Sequence, residues 1–521
     1  MTGTWALLRL ALRRDRWLMP LWILGLALAL APVGYLSSIK AAYPDAVARQ
    51  HFYDLNASSA TFVVRNGPLY GSSVGNLLAW QCGFVPVVVG LIALLTVVRH
   101  TRTEEEAGRR ELTGATVVGR HAGLAAAVLA ACAACLAFGL LTALGVAAQG
   151  EPVAGALALG AGFALAGWVF AGAGAVAAQL TWGASGARGI GIAALVLAFL
   201  LRAAGDGSSA GWLAWLSPIG WAHRLRPFAG EQWWVLSPGV LATALLVVAA
   251  VALSARRDLG AALLPARLGR ETAKASLRSP LALAWRLQRG ALLVWTVCLA
   301  LVGLLMGGVA QNVAEMMRDN RAVAEVFSRM GGGGAVLDAY LAGTMTLFGL
   351  AAAGYAVQAT LKLRAEETAG RAEPVLATAV GRRGWALAHL TFALAGSAFV
   401  LAVTGAATGI AYGSGFALVP AALAQLPAVW VLAGLAALLI GFLPRFAAAA
   451  WGLLAAFLLL SLVGTALQWS STVLGISPFQ HLPRLPGGTF SVTPALCLVL
   501  IAATAVVASL LALRRRDIPV G

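Results

Sequence analysis

The chain has 521 residues, 60% of them apolar without counting its 60 glycines, only 11% charged, and a mean hydropathy of +0.84. So much apolar surface cannot be hidden in one water-soluble core, and runs such as Val85 to Val98 and Leu453 to Val463 are apolar on every side, which excludes the alternating strands of a membrane barrel. The formal charge of +17 does not make the chain a nucleic-acid binder, because its 37 basic residues flank the apolar runs in the manner of topology signals.

In chain order, apolar segments fall near 18–36, 74–98, 122–148, 153–180, 189–204 and 236–255, then near 291–310, 342–361, 385–411, 420–443, 446–465 and 493–513. An all-α polytopic membrane protein with twelve transmembrane helices is expected, its first apolar run acting as an anchor and not as a cleaved signal. Placing Arg13, Arg14 and Arg16 in the cytoplasm puts 27 of the 37 Lys and Arg residues inside and 10 outside, so both termini are expected in the cytoplasm. Four outer segments are long: 37–73, 205–235, 311–341 and 466–492. The second carries Trp212, Trp215, Trp221, Trp233 and Trp234, a pattern of interfacial anchoring, and in the third Gly331 to Gly334 reads as a break between helices. The longest inner polar stretch runs from Arg256 to Arg289. The expected organisation is therefore a first six-span half over 1–255, a linker over 256–290 and a second six-span half over 291–521. Cys132 and Cys135 form a C-x-x-C with no charged neighbour and read as small packing residues.

An internal repeat stands out against these spans. Arg102 to Arg120 reads RTEEEAGRRELTGATVVGR and Arg364 to Arg382 reads RAEETAGRAEPVLATAVGR; 12 of the 19 positions are identical without a gap, where chance gives about two. The offset is 262 residues, half the chain. Ser217-Pro218 and Ser477-Pro478 follow at an offset of 260, and Arg13, Arg16 and Trp22 pair with Arg286, Arg289 and Trp295. Six spans per half is an even number, so the halves are expected to be parallel repeats related by an axis along the membrane normal.

The repeated segment lies between the second and third spans of each half. Glu104, Glu105, Arg109 and Glu111, matched by Glu366, Glu367, Arg371 and Glu373, predict a short amphipathic cytoplasmic helix interrupted at Gly108 and Gly370. One reading is a solvated turn. The other is a docking surface for a soluble partner, since a plain turn has no reason to repeat so closely while the spans around it diverge.

The pattern R-x-E-E-x-A-G-R-x-E-x-x-x-A-T-x-V-G-R, once in each six-span half, resembles the membrane subunit of bacterial ABC exporters of the ABC-2 type, closest to actinobacterial exporters of polyketide antibiotics such as the tetronasin-resistance-like permeases. The resemblance implies the ABC-2 exporter permease fold and a multi-pass location in the bacterial plasma membrane. It implies an amphipathic connecting helix before each half, near Thr4 to Trp17 and Lys274 to Arg289, and outer segments over 205–235 and 466–492 that re-enter the membrane. It also implies coupling helices that seat on an ATPase, formed by Arg102, Glu104, Glu105, Arg109 and Glu111 and by Arg364, Glu366, Glu367, Arg371 and Glu373. The exported cargo would be apolar or amphipathic, such as an antibiotic or another drug.

Energy must then come from elsewhere. A P-loop needs G-x-x-x-x-G-K-[ST], and the chain's three lysines, Lys40, Lys274 and Lys362, follow Ile39, Ala273 and Leu361, so no Walker A sequence exists. The chain is expected to be a transport subunit and not an enzyme, with no cofactor or metal of its own. ATP and Mg would be held by a separate cytoplasmic ABC ATPase, two copies per permease, expected to be a homodimer because the docking sequences are so alike. The alternative is an ion-coupled secondary drug transporter, which would need an intramembrane carboxylate; on this span assignment all acids lie in loops or at span ends. An intramembrane enzyme would cluster Asp, Glu or His, yet the six histidines are scattered and no H-E-x-x-H occurs. Candidate groups on the substrate path are Gln81 and Phe84 on the second span and Phe348, Tyr355 and Gln358 on the eighth. For each of these, helix packing is the competing reading.

Overall fold

A computed structural model describes residues 2–30, 35–57, 60–208, 210–258, 261–263, 272, 275–319, 333–461, 470–488 and 491–516. The described residues are helical, without strands. They form two compact units, Met1–Gly269 and Arg270–Gly521. Among the described residues, ten helices are long and apolar enough to cross a membrane.

The first unit contains α1 (Thr4–Arg14), α2 (Leu18–Leu30), α3 (Val85–His100), α4 (Ala122–Ala147), α5 (Val153–Leu180), α6 (Ala184–Gly207), the short α7 (Pro218–Arg224) and α8 (Leu236–Ala255). α5 is the central helix: 72% of its apolar window is buried, against 17% for α8, whose Leu241, Leu245 and Val248 face outward as lipid-facing residues do. Small residues let α5 sit there. A Cβ on Gly160 would lie 2.2 Å from the carbonyl oxygen of Gly139 on α4, and one on Gly139 would lie 2.4 Å from that of Gly160, so the two backbones touch.

The second span is not one uniform rod. Its outer part, Val74–Gln81, joins α3 through a 3-10 turn at Cys82–Phe84, followed by Pro86. A Cβ at Gly83 would fall 1.9 Å from the Asn66 carbonyl oxygen, and Trp80 donates its indole N–H to the Gly67 carbonyl at 3.0 Å. The turn thus lets the preceding segment around Asn66 and Gly67 pack directly on the helix.

The second unit contains α9 (Pro280–Asp319), α10 (Gly333–Thr368), α11 (Arg382–Tyr412), α12 (Leu426–Phe442), α13 (Ala449–Leu459) and α14 (Val492–Arg515). Its most buried span window is that of α10, at 72%. Two expectations change here. The connecting helix expected near Lys274 to Arg289 is not separate from the seventh span: a 3-10 turn at Ala275–Arg278 leads into α9, which runs without a break through Gly290, where no proline interrupts it. Lys274, Arg321, Gly331 and Gly332 lie outside the described residues, while Gly333 and Gly334, the last two residues of the expected break, begin α10.

Ten long spans stand where twelve were expected. The positions of the first and eleventh hold shorter apolar helices, Leu18–Leu28 and Ala449–Leu459, and parts of the expected segments 18–36 and 446–465 lie outside the described residues. The Ser-Pro pairs have a local cause. Ser217 accepts from the Gly220 N–H and caps α7, with Pro218 at its first position; Ser477 and Pro478 open the 3-10 turn Pro478–His481 without a side-chain capping bond. Ile219 and Ala222 of α7 are buried, and Ala222 packs beside Gly162 of α5.

Candidate functional site

The repeated segment is built alike in the two units. After α3, Arg102–Glu106 forms one helical turn, Gly108 reverses the chain at φ +66, and Arg109–Gly114 forms a second short helix. In the second unit α10 itself runs to Thr368, Gly370 turns at φ +68, and Ala372–Leu376 follows. Nothing lies within 4 Å of a Cβ at either glycine, so the left-handed backbone, and not lack of space, calls for glycine. The N–H of each bonds the same carbonyl, Glu105 or Glu367, at 3.0 Å. The expected interruption of the amphipathic helix at Gly108 and Gly370 is found in both units.

Charges fold this segment onto itself. Arg109 forks onto both oxygens of Glu104 at 2.8 and 2.9 Å, and Arg371 onto both of Glu366 at 2.8 and 3.1 Å. Arg102 pairs with Glu105 at 2.5 Å, and Arg364 with Glu367 at 2.8 Å. Two arginines from far along the chain complete the set. Arg257 bonds both oxygens of Glu105, and Arg516 bonds Glu367. Sequence reasoning missed both, although they stand 259 residues apart, each just after the last helix of its unit.

The expected coupling residues therefore divide in two. The side chains of Glu105 and Glu367 are 4% and 0% exposed and point inward. Glu366 is also buried, so these acids position the segment and are not open to a partner. Arg109, Glu111, Arg371 and Glu373 are exposed. Arg102 is buried too, and donates to the Trp182 carbonyl at 2.9 and 2.6 Å. The bond to Glu104 raises the Arg109 pKa, whereas burial lowers that of Arg110, opposed by Glu105 beside it. Beside the first segment lies a groove of about 910 Å³, lined in part by Leu7, Leu10 and Arg14 of α1 and by Glu104, Arg109 and Arg120.

The units differ in how the preceding helix is tied. Arg14 of α1 pairs with Glu104 at 2.6 Å. At the equivalent place α9 carries Leu287, and Glu366 pairs instead with Lys362 at 3.2 Å.

The expected substrate-path residues do not behave as a set. Phe348 and Tyr355 are core residues, and the Tyr355 hydroxyl donates to the Phe392 carbonyl at 2.9 Å. Phe84 is exposed and packs edge-on against Phe199; Gln81 is half-buried; exposed Gln358 accepts from the Trp295 indole at 2.7 Å. Among the described residues, acids within the long apolar helices sit at their ends: Glu104, Glu105 and Glu106, Asp206, Asp338, Glu366 and Glu367. Among the same residues, no three His, Cys, Asp or Glu side chains are placed to share a metal ion.

Comparison with known proteins adds two findings. The family described as multidrug efflux system permease Rv1217c, C-terminal domain, matches residues 277–514. Over 525 aligned positions, covering 99% of this chain and 95% of the relative, the sequence is 44% identical to multidrug efflux system permease protein Rv1217c of Mycobacterium tuberculosis.

Proposed function

Because this chain belongs to the family of the multidrug efflux system permease Rv1217c, we propose that it is the membrane subunit of an ATP-driven exporter that moves apolar or amphipathic drugs out of the cell. It is a transport subunit, multi-pass in the membrane, and lacks a Walker A sequence of its own. A separate cytoplasmic ABC ATPase holds ATP and Mg and hydrolyses the nucleotide.

One observation carries this reading furthest: a short, broken, ion-paired segment recurs with the same internal bonds at the same point of each unit. Such a segment suits a docking site used twice, so one permease takes two ATPase copies, and the near-identity of the two sequences favours a homodimer. The exposed Arg109, Glu111, Arg371 and Glu373 make contact, while Glu105, Glu366 and Glu367 hold the shape. We assign the permease to the ABC-2 type, nearest the polyketide-antibiotic exporters, with twelve spans in two parallel six-span halves. Both termini lie in the cytoplasm, as the positive-inside rule favours. The short α7, capped by Ser217 and packed against α5, suits a re-entrant outer element.

Purification of the tagged chain from its native host, followed by intact-complex mass measurement, tests the assembly. A complex of one permease with two ATPase copies is expected. A permease recovered alone, fully active in transport, would reject it.

A further inference from the structure

We infer that Arg257 and Arg516 are positioning residues that carry motion of the two ATPase-facing segments into the spans behind them. This deepens the function proposed above and rests on it.

Each arginine is clasped from both ends of its segment. The Arg257 guanidinium bonds Glu105, near the start of the first segment, at 2.8 and 3.0 Å, and its carbonyl accepts from Arg120, the last residue of that segment, at 2.8 Å. Arg516 repeats the pattern with Glu367 at 2.5 Å and Arg382 at 2.7 Å. The same guanidinium groups also reach a further span. Arg257 donates to the Gln179 side chain at the end of α5, at 2.7 Å, and Arg516 to the Ile440 carbonyl near the end of α12, at 2.8 Å. Since Arg257 stands two residues after the end of α8 and Arg516 directly follows α14, one side chain in each unit joins the coupling segment to the ends of two spans.

The chemistry suits a rigid link. A guanidinium presents several donors in a fixed plane, which lysine cannot do. The side chains of Arg257 and Arg516 are 6% and 15% exposed, so these bonds are largely shielded from water. The clasp also accounts for which positions repeat. Glu105, Arg120 and their equivalents Glu367 and Arg382 are among the identical positions, whereas Arg110, which adds a bond to Glu105 outside the clasp, faces Ala372 in the repeat. A simple fastening of a loop could differ between halves; here the bonds to both ends of the segment recur, with only the tie to the further span differing, a side chain at Gln179 and a carbonyl at Ile440.

The test uses the full permease with its ATPase in inverted vesicles, with hydrolysis and drug uptake measured in parallel for R257Q, R516Q, R257K and R516K. ATPase capture and hydrolysis should stay within about twofold of the parent. Drug uptake per ATP should fall about tenfold in the glutamine variants and by less in the lysine variants, which keep the charge and guard against loss of folding. E105Q/R257Q should show the same uptake per ATP as R257Q, because both break the one link, although its melting temperature falls further through the lost pairs of Glu105 with Arg102 and Arg110. Unchanged uptake per ATP in both glutamine variants would overturn the inference, and so would loss of ATPase capture in step with uptake in all four. A parent protein that takes up drug without its ATPase would instead defeat the proposed function beneath it.

Discussion

The carboxylate of Asp15 lies 2.6 Å from Nε2 of His100, with its other oxygen 2.9 Å from Arg99, and this pins the turn between α1 and α2 to the end of α3. The equivalent position of the second unit, inside the unbroken helix α9, is Gln288, whose amide donates to Nδ1 of His389 at 3.1 Å. Both side chains are buried, so the turn of the first unit is held by a charge and the continuous helix of the second by a neutral bond. Asp15→Ala should cost about 3 to 5 kcal/mol, because it strips a buried pair of one partner. Gln288→Ala should cost about 1 to 3 kcal/mol, the range for an orphaned neutral group. Thermal melting of the purified variants in one detergent checks the order; equal melting temperatures would contradict it.

Gly67 has φ +88, and a Cβ there would lie 2.3 Å from Nδ1 of His223, a buried ring whose Nε2 bonds the Gly83 carbonyl at 2.9 Å. Gly150 has nearly the same backbone, φ +89, with open space around it. Gly150→Ala should therefore cost only the left-handed penalty, about 1 to 2 kcal/mol. Gly67→Ala adds a steric clash and should lower the melting temperature clearly further. A smaller effect at Gly67 would show that the outer segment does not pack on the second span as described.

The exposed acids of the coupling segments should matter for partner binding and the buried ones for folding. Glu111→Lys combined with Glu373→Lys should weaken ATPase capture about tenfold, on the order of 1.4 kcal/mol, with no change in melting temperature. Glu105→Gln should lower the melting temperature, since Arg102, Arg110 and Arg257 all converge on that carboxylate. A double variant that captures the ATPase normally would move the docking face elsewhere.

Much of this was legible in the sequence, and the reasons are physical. The segments expected at 122–148 and 153–180 match Ala122–Ala147 and Val153–Leu180 because charge, Pro and Gly bound the apolar runs sharply. The break at Gly108 and Gly370 was legible because no other residue takes that backbone as cheaply. The inward turn of Glu105 and Glu367 was not. It depends on Arg257 and Arg516, which lie about 150 residues away and look, in the sequence, like ordinary basic residues at the end of a span. Helix continuity also escaped the hydropathy pattern: polar Arg286 to Gly290 marks a change of environment for α9, not a change of backbone.

Drug uptake into inverted vesicles containing this permease and its ATPase tests the central claim most directly. Among the described residues, the acids of the long helices sit at their ends, poorly placed to relay protons through the membrane, and the proposed function has ATP hydrolysis drive transport. Uptake should require hydrolysable ATP, stop with vanadate and survive a protonophore. Uptake that persists without the ATPase and collapses with the proton gradient would contradict it.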